Sequence, residues 1–261
     1  MSLCLLVLCL VNFKPASAAA PKASTPLFAL KVYHLSSASQ EERLDQYLKQ
    51  AYLPALHRAG INKVGVFKPV VDTTAATSSL EQLVYVFVPF NSQDQFFKLD
   101  ETLAKDKQYQ TAGKDFLAAA QDKAAYNRYE TILLGAFSGM PEVHVPKLSS
   151  APGERIYELR SYESPTDERH ENKVSEFNVG EIKLFNRLGF NAVFYADVLA
   201  GSKMPNLMYM TSFENRAARE AHWKTFNDDP EWKQLNGQPR YAKNVSHADI
   251  ILLHNTDYSD I

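Results

Sequence analysis

Apolar and polar positions recur along this chain in an order that is written twice. In the second half, Ile156 to Tyr162 (IYELRSY) alternates as a strand does. ESPTDERHENK follows, with Ser and Thr placed to cap a helix N-terminus and acids suited to its first turn. Val174, Phe177, Glu181, Ile182, Phe185 and Leu188 then recur at mostly helical spacing and form one stripe. Gly189 stands where a helix stops. Phe190 to Val198 predicts a strand, GSKMPN (201–206) a turn, and Leu207 to Phe213 another strand. Asn215 is placed to cap a helix running to about Phe226, and Asp229 followed by Pro230 opens a short one. Ala248 to Leu253 is the last strand. The order is β-α-β-β-α-β, the ferredoxin-like unit.

The first half repeats it. LFALKVY (27–33) aligns with IYELRSY (156–162), setting Leu30 on Leu159, Lys31 on Arg160 and Tyr33 on Tyr162. The same spacing sets Gly60 on Gly189 and Val64 on Val193. With short loop differences, VYVFVPF (84–90) meets LMYMTSF (207–213), DKQY (106–109) meets DPEW (229–232), and TILL (131–134) meets IILL (250–253). Ordered matches of this kind mark an internal duplication. The expected organisation is a first module over 26–137, a Pro-, Gly- and Ser-rich linker over 138–153, and a second module over 154–256.

A ferredoxin-like unit carries helices on one sheet face only. Here the strands are apolar at both parities, as in Val193 and Phe194, Leu207 and Met208, Ile250 and Ile251. Strands of this kind are buried on both sides. The expected α+β fold therefore packs the two modules sheet to sheet around a shared interior, an intramolecular version of the dimeric α/β barrel.

The remaining features narrow the function. Residues 1–20 read as a secretory signal peptide: a short apolar run, Leu3 to Val11, then PASAAAP with A-x-A cleavage options. The run is too short to span a bilayer as a helix. Its single cysteine-linked alternative is lipid attachment at Cys9. Both cysteines, Cys4 and Cys9, lie in this segment, so the mature chain, exported to the periplasm or beyond the cell, has no thiol for a disulfide, a nucleophile or a metal. The formal net charge of −2, without a basic stripe, argues against nucleic acid, and no second long apolar run argues for a membrane span. No Gly-rich phosphate loop, histidine metal motif or G-x-S-x-G elbow is present, so no cofactor or metal is expected.

YELRSY opening a module, helices ending in Arg58-Ala59-Gly60-Ile61 and Arg187-Leu188-Gly189-Phe190, the DPEW segment, and YLPALHRAGINKVGVFKP (52–69) together resemble the NIPSNAP family. The first copy departs from the motif, with LKVY where YELR would stand. The resemblance implies a dimeric α/β barrel fold and no defined reaction. Its wider superfamily contains haem-degrading and cofactor-independent monooxygenases, and shared fold does not transfer their chemistry.

Strand alternation puts Tyr157, Leu159 and Ser161 on one face of the opening strand and Glu158, Arg160 and Tyr162 on the other. Glu158 and Arg160, with Trp223, are candidate ligand-binding residues. The competing assignment is a salt bridge that fixes the strand. Trp223 and Trp232 are equally suited to the core. His222, beside Trp223, is the candidate acid/base or haem ligand, whereas His170 and Glu171 read as solvated. Tyr195 and Tyr209, on adjacent strands, are expected to place hydroxyls in the shared interior. Three functions follow: a binder of a small apolar ligand or protein partner, a cofactor-independent or haem-linked monooxygenase, or a structural protein with a filled core. A homo-oligomer is compatible with each.

Overall fold

The computed structural model describes residues 26–70 and 82–261. The expected export segment, with Cys4 and Cys9, lies outside the described residues.

The first half runs β1 (Leu27–Leu35), α1 (Ala38–Tyr47), a π-helical turn (Leu48–Tyr52), α2 (Leu53–Arg58), β2 (Gly65–Pro69), β3 (Gln82–Phe90), four short helices, α3 (Gln93–Phe97), α4 (Leu99–Lys105), α5 (Lys107–Ala112) and α6 (Lys114–Leu117), and β4 (Arg128–Ala136). The second half runs β5 (Ile156–Glu163), α7 (Asp167–Glu176), a π-helical turn (Phe177–Glu181), α8 (Ile182–Arg187), β6 (Asn191–Ala200), β7 (Asn206–Phe213), α9 (Arg216–Asp228), α10 (Pro230–Asn236) and β8 (His247–Asn255).

The caps are those the side chains dictate. Ser37 and Thr166 accept from the first-turn amides of α1 and α7, and Asn215 does so for α9. Asp106 and Asp229 cap α5 and α10. Gly60 and Gly189 follow the first long helical segment of each half at φ +77° and +76°, a backbone region open to glycine and costly for a residue with a Cβ. The two π-helical turns fall at matching positions of the repeat. Each rotates the apolar stripe by one residue, which explains why the sequence spacing there is only approximately helical.

All eight strands form one closed barrel in the order β1-β3-β2-β8-β5-β7-β6-β4. Each half contributes four neighbours in the ferredoxin arrangement, and the halves join at β2–β8 and β4–β6. Both parts of the expected architecture therefore hold: two ferredoxin-like modules, and an intramolecular barrel. Among the described residues, closure gives every strand a neighbour on both sides.

The core is divided by the barrel wall. Outside, one helical layer covers each half, around Leu44, Leu48 and Leu56 in the first and Phe177, Phe185 and Phe226 in the second. Inside lie Phe28, Leu30, Phe67, Phe87, Tyr157, Leu159, Phe194 and Met210. One end of the interior is closed by aromatic packing, with Phe87 stacked on Phe194 at 4.6 Å and Phe28 tilted against Phe87 at 5.3 Å. Burial of each such ring contributes about 1.5–3 kcal/mol. Residues 138–153, expected to be a linker, also serve the core: Val143 and Leu148 pack against the interior cluster and Met140 under the second helical layer. Two-sided burial holds at Val193, Phe194, Leu207 and Met208 but not at Ile250, which is 48% exposed.

Candidate functional site

Two places gather polar groups against apolar walls, and they lie on opposite sides of the same strands.

The first is outside the barrel, under α9. Glu158 on β5 is fully buried. It accepts from Arg160 Nε, from Arg219 Nε at 2.6 Å and Nη2 at 3.2 Å, and from Trp223 Nε1 at 2.9 Å. The Arg160 guanidinium lies over the Trp223 ring at 3.7 Å and donates to the Tyr162 hydroxyl at 2.8 Å, which in turn meets the Tyr209 hydroxyl at 2.9 Å. Beside it, the buried Lys173 ammonium is 2.9 Å from both Glu176 and Glu181. These carboxylates hold Lys173 above the ordinary lysine range despite burial, while burial raises Glu176. A groove of about 260 Å³ runs past Arg160, Tyr162, Lys173, Arg219, Trp223 and Trp232. Glu158, Arg160 and Trp223, the candidate ligand-binding residues of the sequence, lie in one cluster here. Their geometry is that of a satisfied internal cluster, since every donor aimed at Glu158 comes from the chain itself.

The other proposed residues are packing groups. His222 Nδ1 pairs with the Ala218 carbonyl oxygen at 2.7 Å, one turn back on α9, and its ring packs edge-on against Phe190 and Phe213. Tyr195 and Tyr209 do not face the shared interior, contrary to expectation. They lie in the second helical layer, stacked on each other at 5.7 Å and against Phe177 and Phe185. A bulge in β6 between Ala192 and Phe194 shifts its parity and turns Tyr195 outward. Burial pushes both phenols well above their ordinary value. His170 is buried rather than solvated, with Nε2 at 2.7 Å from Asp197 Oδ1.

The second place is the barrel interior. Opposite the aromatic floor, a cavity of about 440 Å³ opens at the barrel mouth. Its walls are Leu30, Val32, Ile132, Leu159, Met208 and Ile251. Its rim is polar and already paired. Glu130 meets His34 at 3.5 Å and accepts from Ser202 at 3.3 Å. Lys203, on the β6–β7 turn, donates to Asp249 at 2.6 Å. Ser161 and Asn206 bond each other at 2.8 Å. Glu163, His247 and Asp249 place ligand atoms within 4.8 Å of one another beside the mouth, with Asp249 already engaged by Lys203 and His247. No residue singled out from the sequence as a site residue lines this cavity. The available signal was the Tyr157–Leu159–Ser161 face of β5: in a ferredoxin-like unit the face away from the helices becomes the inside of the barrel.

A closed barrel of two ferredoxin-like halves, with helices outside and a cavity inside, defines a dimeric α/β barrel made from one chain. Solved structures share that fold. A candidate monooxygenase from Lactobacillus acidophilus has a TM-score of 0.58 at 12% identity, covering 89% of this chain and 94% of its own. A candidate monooxygenase from Fusobacterium nucleatum has a TM-score of 0.56 at 8% identity, covering 90% and 94%. An anthrone oxidase-like protein has a TM-score of 0.54 at 12% identity, covering 90% and 92%. No curated protein matches the chain. Residues 157–260, the second ferredoxin-like half, match the NIPSNAP family model. Among the described residues no helix is long and apolar enough to cross a membrane.

Proposed function

We propose that this protein binds a small, largely apolar molecule in the open half of its barrel. The observation that carries the reading is the cavity of about 440 Å³ with aliphatic walls and a polar rim. Small-molecule sites have this size and this division between apolar lining and a few polar groups. The binding reading thereby moves from Glu158, Arg160 and Trp223, which satisfy one another, to the far side of the same strand. Export through residues 1–20 belongs to the same proposal and places binding in the periplasm or outside the cell.

Naphthalene fluorescence titration tests it, with Val32→Phe as the variant that fills the cavity. Binding to the parent chain and loss in Val32→Phe, with an unchanged melting temperature, is the expected result. Equal binding by both proteins refutes the site.

A second reading is a cofactor-independent monooxygenase. It is supported by the same cavity and by the names of the fold neighbours. Oxygen uptake dependent on a bound aromatic substrate would distinguish it from simple binding. The haem-linked form fits the residues poorly. Among the described residues, His34 is the one histidine lining the cavity, and its ring is held between Arg128, at 2.9 Å, and Glu130.

A further inference from the structure

Within the cavity one polar group stands apart. Tyr85, on β3, is 5% exposed and belongs to the interior cluster, yet it also lines the cavity. His34, Glu130, Ser161, Ser202, Lys203, Asn206 and Asp249 all have partners within the chain. The Tyr85 hydroxyl has none among the described residues. Unlike the enclosed hydroxyls of Tyr52 and Tyr195, its oxygen is not shut off from solvent, so it opens into the cavity, where a phenol needs an acceptor. The partner it lacks in the chain can come from the molecule that fills the cavity.

We infer that the Tyr85 hydroxyl is the hydrogen-bond donor that selects the ligand, and that the ligand is a neutral apolar molecule bearing an acceptor oxygen, such as a ketone or aldehyde. The inference rests on the binding reading above. Two features set the chemical class. Burial, with Glu130 and Asp249 nearby, pushes the phenol up to about 12, so it stays protonated and available to donate through the physiological range. The same two acids make the position beside the hydroxyl unfavourable for an anion, which argues for a carbonyl over a carboxylate. The aliphatic walls then take the rest of the molecule.

A matched set of rigid probes isolates this contact: naphthalene, 2-acetylnaphthalene and 2-naphthoate, titrated against the full chain and against Tyr85→Phe. Tyr85→Phe deletes an oxygen with no partner in the chain, so its melting temperature is expected to stay at or above the parent value. The parent chain is expected to bind the ketone more tightly than the hydrocarbon, and the carboxylate most weakly. Tyr85→Phe is expected to raise the ketone Kd about five- to tenfold, the range of one neutral hydrogen bond, and to leave naphthalene unchanged. If naphthalene binds and is expelled by Val32→Phe but Tyr85→Phe affects both probes alike or neither, the donor role is overturned and the cavity reading stands. If no probe binds the parent chain, both fall together.

Discussion

The Arg160 guanidinium lies flat on Trp223, 3.7 Å from the ring centroid, and both side chains donate to the same carboxylate, Glu158. A cation held by a ring on one face and an acid on its edge has no remaining need for a ligand. Arg219 adds two further bonds to Glu158 from α9. The cluster therefore clamps the second helical layer to β5.

Removing Glu158 leaves the buried Arg160 guanidinium without an acid, whereas removing Arg160 leaves Glu158 still held by Arg219 and Trp223. Glu158→Gln is expected to destabilise the protein by about 3–5 kcal/mol in urea unfolding, and Arg160→Ala by less. Neither is expected to change naphthalene affinity, because Glu158 and Arg160 point away from the barrel interior. An unchanged unfolding midpoint in both variants would refute the clamp.

Tyr195 and Tyr209 are neighbours with opposite hydroxyl environments. The Tyr195 hydroxyl is buried without a partner, whereas that of Tyr209 meets Tyr162. Tyr195→Phe is thus expected to be neutral or stabilising by up to about 1 kcal/mol, and Tyr209→Phe to cost about 0.5–1.5 kcal/mol. Paired urea melts check the sign. A loss in Tyr195→Phe as large as in Tyr209→Phe would contradict the assignment.

Lys173 neutralises two buried acids at once. Its folded-state pKa is raised above 10.5, so its contribution is complete below that value and is lost as pH rises through the folded one. Glu176 is raised above 4.5, so its contribution is most favourable below 4.5 and declines as pH rises through its folded value. Lys173→Met removes the cation and leaves Glu176 and Glu181 buried. The variant is expected to lose about 3–5 kcal/mol near neutral pH and to recover stability on acidification, as Glu176, already raised by burial, takes up a proton. A pH-independent deficit would argue against the charge cluster as its cause.

Glu214 fastens the connector between the halves. Its carboxylate accepts from the backbone amides of Ser149 at 3.0 Å and Ser150 at 2.7 Å, and these bonds draw its pKa down to about 2 from 4.5. A depressed acid contributes its stabilisation above the unfolded value and loses it as pH falls through the folded one. Exchange of the Ser149 and Ser150 amides is expected to accelerate as pH falls from 4.5 towards about 2, after correction for intrinsic rates. Glu214→Gln is expected to show weaker protection with no such transition.

The repeat made the fold legible because its determinants are local. Asn215, Asp229 and Asp106 are caps by side-chain chemistry, Gly60 and Gly189 are helix stops by backbone freedom, and two-sided apolar strands require cover on both faces. The candidate site was less legible. Sequence order showed that Glu158 and Arg160 share a face and that Trp223 follows on a helix, but not that Arg219 completes the same cluster from one turn earlier. It also placed Tyr195 inside the barrel, since a single bulge in β6 reverses the parity of the residues beyond it. His170 looked solvated because Asp197, its partner, is contributed by a strand distant in sequence.

By itself the sequence determined two ferredoxin-like modules, their caps and stops, and a polar pair on β5, because each depends on residues close along the chain. Only the tertiary structure decided which face of each strand became the inside of the barrel, how far aromatic packing filled it, and that Tyr85 borders the remaining space without a partner among the described residues. Those properties arise when β2 meets β8 and β4 meets β6. The same closure divides the duplicated halves. Ala29 stands where the second half has Glu158, and the Lys31 ammonium rests over Tyr52 and Tyr129, with no acid paired to it among the described residues. A repeat predicts equivalent backbones, but the contacts each copy makes are set by the neighbours that folding brings to it.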